Sequence, residues 1–217
     1  MDRPEGVTAL VWLVRTRHLV PLWAALLCLC ATVAIWGRNL LLLPGDQATL
    51  PLAILAPVPY ACVTALAVRS SMMDAERVAA RKVHVIDLAC VALTSVIALL
   101  SAVAGLLLSD TAQLIPLVLR NIVFWTGVAC LSAALLGRSL GWVLPVVLLV
   151  PLYESGRGGR GGLVPWWAIA RQPEASTWAW AATAIVLALG LAALLEAGLW
   201  RRGPLRLLHR AHLGRAQ

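Results

Sequence analysis

Six stretches of this chain, at about residues 19–36, 49–68, 88–108, 114–137, 140–153 and 177–200, are apolar almost without interruption. An unalternating run of about 20 apolar residues matches a helix crossing the roughly 30 Å hydrocarbon layer of a bilayer. Lipid offers no partner to backbone N–H and C=O groups, so such runs must bond internally, as helices. Composition agrees: 61% of the 217 residues are hydrophobic and 13% charged, with mean hydropathy +0.85, whereas a soluble domain carries charge at about a quarter of its positions. The expected fold is an all-α integral membrane protein, a six-transmembrane-helix bundle forming one domain over 1–217.

The runs differ in quality. The first follows Arg15, Arg17 and His18 and is longer than the apolar core of a cleavable signal peptide, so it reads as an uncleaved span. Before it, Val7, Leu10, Val11 and Val14 recur at helical spacing, either as an interfacial helix or as an extension of the span. Pro51, Pro57 and Pro59 predict a kinked or partly broken second span. Five residues, 109–113, separate the third and fourth runs and predict an antiparallel hairpin. The fifth run is short, roughly 21 Å of helix. The outer loop at 154–176 opens glycine-rich and closes with Trp166 and Trp167, which predicts a second half resting at the membrane interface.

A net charge of +8 and a pI near 10.3 would suggest nucleic acid in a soluble protein. Here the basic residues flank apolar runs and encode topology, so no nucleic-acid partner is expected. With six spans, the N-terminus, the 69–87 connection, the Arg138 turn and the tail share one side and hold thirteen Lys and Arg residues. The other side has Arg38, Arg157, Arg160 and Arg171. The positive-inside rule then places both termini in the cytoplasm of a multi-pass cell-membrane protein. Trp36, Trp166, Trp167, Trp178 and Trp180 fall at the outer boundary and Trp12, Trp142 and Trp200 at the inner one, as two aromatic belts.

Residues 71–87 form the most informative polar segment. Met72, Ala75, Ala79, Val83 and Ile86 make one narrow helical stripe, with Asp74, Arg77, Arg81 and His84 opposite and Glu76 near the stripe's edge. Ser71 and Asp74 have the spacing of a capping box. This amphipathic cytoplasmic helix either lies on the membrane for its own stability or docks a cytoplasmic partner. Arg120, followed by Asn121, stands roughly 10 Å into the fourth span. A charge there is costly unless it snorkels to the outer interface, pairs with Asp110 across the hairpin turn, or lines a transport pathway. Glu196, near the inner end of the last span, invites the same choice, with Arg138 as a partner across helices.

Catalysis finds little support. His18, His84, His209 and His212 all lie on the cytoplasmic flank without metal-site spacing, and Cys28, Cys30, Cys62, Cys90 and Cys130 sit in apolar runs as small hydrophobes, with Cys28 and Cys30 pointing in different directions on a helix. No intramembrane carboxylate pair occurs. The sole lysine, Lys82, lies between Arg81 and Val83, outside any Gly-Lys-Ser/Thr phosphate loop, so ATP would have to be bound by another chain. No catalytic, metal or cofactor site is therefore expected in this chain.

Several stretches together resemble a known family. They are Asp74-Ala-Glu-Arg with the following Ala-Ala-Arg, Leu119-Arg-Asn, Thr126-Gly, Leu136-Gly-Arg into Gly141-Trp-Val-Leu-Pro, and Trp166-Trp through Gln172-Pro. With the topology, they resemble permease subunits of ABC transporters of the type-2, exporter-like class, in particular the small versions of high-GC actinobacteria. The resemblance covers most of the chain. It implies that 71–87 is the coupling helix seated on a cytoplasmic ATP-binding subunit, with Asp74, Glu76, Arg77, Arg81 and His84 at the contact. It implies that 7–18 is the connecting helix at the surface of a bacterial plasma membrane. ATP and Mg belong to the partner, and a second permease copy or paralogue completes a dimer that exports a small molecule or peptide. The polyglycine opening of the outer loop departs from the family's compact outer helices. The alternative is a non-catalytic membrane scaffold or accessory subunit that recruits a cytoplasmic protein through the same amphipathic helix.

Overall fold

A computed structural model describes residues 19–42, 49–67, 83–154 and 164–200. Among them are six α-helices: α1 (Leu19–Trp36), α2 (Pro57–Leu66), α3 (Val83–Leu108), α4 (Ile115–Leu136), α5 (Val143–Glu154) and α6 (Thr177–Trp200). A two-stranded antiparallel ribbon, β1 (Leu40–Leu42) with β2 (Thr49–Pro51), joins α1 to a 3-10 turn at Leu52–Ile54 ahead of α2. The lead 7–18, most of the 71–87 segment, the glycine-rich opening of the 154–176 loop and the basic tail lie outside the described residues.

Four helical stretches, Leu19–Trp36, Asp87–Leu108, Ala112–Leu136 and Thr177–Glu196, are long and apolar enough to cross a membrane. The chain is a helical membrane protein. Its exposed faces carry large apolar side chains such as Leu27, Leu100, Val147 and Ile185, the surface expected where lipid rather than water is the solvent.

The helices formed in the second and fifth runs are shorter than the others. Proline explains α2: Pro57 and Pro59 lack backbone donors and are tolerated in the first turn of a helix, so the helix starts there. The preceding part of the run, with Pro51, goes into the ribbon and the 3-10 turn instead. The ten residues of α2 span about 15 Å and the twelve of α5 about 18 Å.

The α3–α4 connection is the expected tight hairpin. Asp110 takes the left-handed conformation (φ 54°), Thr111 N–H donates to Leu106 O at 3.0 Å and Asp110 N–H to Leu107 O at 3.4 Å. This is a Schellman cap, which satisfies carbonyls that the helix end leaves open. The Ser109 and Thr111 hydroxyls, 2.6 Å apart, complete the turn. At the far end of α4, Gly137 (φ 111°) allows the chain to reverse before the 3-10 turn Arg138–Leu140.

Packing fixes the direction of each element. Leu19, Ala67 and Cys90 form one cluster, while Val33, Ala53, Leu106 and Val118 lie in another, so α1 and α3 run parallel with α2 returning between them. Leu194 meets Cys130 and Ala133, and Gly190 meets Gly127, so α6 runs parallel to α4. The Ser132 hydroxyl takes the Leu144 N–H at 3.3 Å, and Leu148 and Leu152 pack beside Phe124, Trp125 and Val128. Helix α5 thus returns antiparallel along α4. The axis of the bundle is α4: 61% of its apolar window is buried, against 22–39% for the other three long stretches.

Candidate functional site

Two polar constellations sit at opposite ends of α4. The first is at its N-terminal end, beside the hairpin. Arg120 is fully buried, with 0% exposure. Its guanidinium donates to three backbone carbonyls of the chain between α5 and α6: Pro173 at 2.9 Å, Ile169 at 3.1 Å and Gln172 at 2.7 Å. Asn121, also buried, donates through Nδ2 to Ala170 O at 2.8 Å, and its Oδ1 lies 3.4 Å from the Arg120 Nε and Nη2. The segment braces itself as Gln172 Nε2 donates to Pro165 O at 2.8 Å.

Snorkelling and pairing with Asp110, the two structural expectations for Arg120, are both replaced by this arrangement. Asp110 faces Arg38 instead, 3.9 Å away, with both side chains exposed. The physical reason is mutual need. An irregular segment placed against a spanning helix carries carbonyls that lipid cannot satisfy, and a planar five-donor guanidinium beneath them needs acceptors.

The second constellation is at the Gly137 end. Asp87, 2% exposed, forms an ion pair with Arg138, whose side chain is 17% exposed. Arg138 therefore pairs with Asp87, and the expected Arg138–Glu196 pair is corrected: Glu196 lies on the exposed face of α6. Asp87 also changes its setting. Residues 83–87, expected at the end of a separate amphipathic helix, continue without a break into α3. Sequence reasoning missed Asp87 as a partner, although its place at the last position before an uninterrupted apolar run marked it as a boundary charge like Arg138. Of the residues assigned to the amphipathic helix, Asp74, Glu76, Arg77 and Arg81 lie outside the described residues, and His84 falls in the first turn of α3.

Between the two ends, α4 and α6 touch backbone to backbone. A Cβ on Gly127 would stand 2.8 Å from the Leu187 Cα and N, and one on Gly190 would overlap Gly127 O. Small residues permit such approaches, and in lipid this packing is a main source of helix adhesion. The same region holds polar atoms without hydrogen-bond partners: Trp125 Nε1, Thr126 Oγ1 and Thr183 Oγ1 are all buried. By contrast, Thr32 and Thr64 bond back to the carbonyl four residues earlier, at 2.8 and 3.0 Å.

The cysteines are free thiols. Cys90 and Cys130 are buried as expected of small hydrophobes, whereas Cys28 faces outward from α1.

No family model, curated protein or solved structure matches this chain.

Proposed function

We propose that the chain is the transmembrane permease subunit of an ATP-driven ABC exporter, one of two that together form the substrate pathway. In this reading six segments cross the membrane, both termini are cytoplasmic, and separate subunits bind ATP and Mg. The alternating directions of α1 to α6 support an even number of crossings, with α2 and α5 completed by the non-helical chain beside them. The charge count favours the Gly137 end as the inner one.

The observation that carries the proposal is the ion pair of Asp87 and Arg138. Asp87 lies in the second turn of α3, in the part of the 71–87 segment that the structure describes, and Arg138 occupies the turn between α4 and α5. In this reading a push on that segment would reach the buried α4 through α3 and this ion pair. Such a linkage suits a subunit that receives force from a motor it does not contain. Arg77 and Arg81, on the polar face of the segment, are the residues proposed to meet the ATP-binding partner.

Affinity purification of the full chain from its native membrane tests this. A transporter subunit brings down, in constant stoichiometry, a chain with a Gly-Lys-Ser/Thr phosphate loop, and the pair Arg77→Glu and Arg81→Glu releases it while the permease stays in the membrane. Recovery of a partner without such a loop identifies the scaffold reading instead.

A further inference from the structure

Residues 169–173, ahead of α6, sit beside α4 below its start. Asn121 has one of the shorter polar side chains, yet its Nδ2 lies 2.8 Å from Ala170 O. Asn121 stands six residues inside α4, about 9 Å below its start at 1.5 Å per residue. Ala170, 1% exposed, is packed among Val58, Ala61, Phe124, Trp125 and Val128, core residues of α2 and α4. Non-helical backbone at membrane depth is tolerated only where it is buried in protein or lines an aqueous cavity. Here four carbonyls, those of Ile169, Ala170, Gln172 and Pro173, end on the adjacent side chains Arg120 and Asn121.

We infer that residues 169–173 form a re-entrant seal, held in the hairpin end of the bundle by Arg120 and Asn121 and released when those two side chains let go. Calling it the outer seal of a transport pathway rests on the function proposed above; the seating itself does not. The fully buried side chain of the turn is the small Ala170, with Ile169 partly buried beside it, and the hydrogen bonds from Arg120 and Asn121 are donor–carbonyl bonds that water can replace. Withdrawal thus exchanges protein partners for solvent ones and leaves the packed α4–α6 contact undisturbed. Arg120 and Asn121 act as positioning residues.

The test uses single-cysteine reporters in a full-length chain whose five natural cysteines are replaced by alanine. Ala170→Cys reports the seal, Trp166→Cys is an exposed control, and Ala98→Cys, in the core beside α1, reports the global fold. A membrane-impermeant maleimide is applied to intact cells and separately to inverted vesicles. With Arg120 and Asn121 intact, Ala170→Cys is protected. Arg120→Ala or Asn121→Leu raises its labelling from the cell exterior by about tenfold or more, the signature of local opening, with Ala98→Cys unchanged. Asn121→Leu keeps the inference testable if loss of the guanidinium prevents folding. Labelling of Ala170→Cys as fast as Trp166→Cys before either substitution, or protection that persists after both, overturns the seal. Labelling of the released cysteine only from inverted vesicles overturns the outer placement, and with it the proposed topology, rather than the seating.

Discussion

Arg120 shows how far a single residue's role depends on groups distant in sequence. Hydropathy marks it as a cost, because a charge within a span must be compensated, but its acceptors are carbonyls about fifty positions later in the chain. Arg120→Ala should strand the Ile169, Gln172 and Pro173 carbonyls, at about 1–3 kcal/mol for each that water cannot reach. The apparent thermal midpoint in detergent should fall clearly. Arg120→Lys keeps the charge but loses the planar fork, so an intermediate loss is expected. Asp87 and Arg138 are a second case. Removing either partner of a largely buried pair costs about 3–5 kcal/mol, here toward the lower end because Arg138 keeps some access to water. In a double-mutant cycle read by unfolding in detergent, Asp87→Ala and Arg138→Ala together should cost much less than the sum of the two. Simple additivity would show that the pair carries no coupling. Both charges were visible in the sequence as boundary residues. Their pairing was not, because periodicity within one run says nothing about which run lies beside it.

Among elements, the decisive contact is that of α4 with α6. Gly127→Ala and Gly190→Ala each place a methyl against opposing backbone, which cannot rotate away as a side chain could. Overpacking of this kind costs about 1–3 kcal/mol. Each should lower the folded yield and unfolding midpoint more than alanine at Gly137, whose Cβ would meet no atom within 4 Å and whose penalty comes from its positive φ alone. Equal effects at the three glycines would deny the close crossing. Element boundaries were largely legible: the expected 19–36, 114–137 and 177–200 runs are α1, α4 and α6 to within a residue or so at each end. Proline chemistry correctly marked the second run as broken, since a missing donor is a local property. What it could not supply is the destination of the displaced chain, which is a ribbon with β1. Nor did hydropathy show that the third helix starts at Val83, because it absorbs residues 83–87, which the sequence assigns to the end of a separate amphipathic helix.

For the whole molecule, alternation of direction along the chain supports the proposed six crossings. Single cysteines at Ser71 and Ser155 should then label from opposite faces, Ser71→Cys from the cytoplasm and Ser155→Cys from outside. Labelling of both from one face would require an even number of crossings between them and would remove the amphipathic segment from the reach of a cytoplasmic ATPase. With topology as proposed, the molecule has a polar tie at each end of one buried helix: the Asp87–Arg138 pair where force would enter, and the Arg120–Asn121 seat at the far mouth.

The amino-acid order by itself determined that this chain lives in lipid as helices and which stretches those helices occupy. Burial of apolar length and the need for internal backbone bonds are properties of a segment taken alone. Only the tertiary structure decided which helix became the axis, which glycines face one another, and which carbonyls and carboxylate answer Arg120 and Arg138. Those are relations between segments, set by shape and hydrogen-bond demand once the helices are side by side.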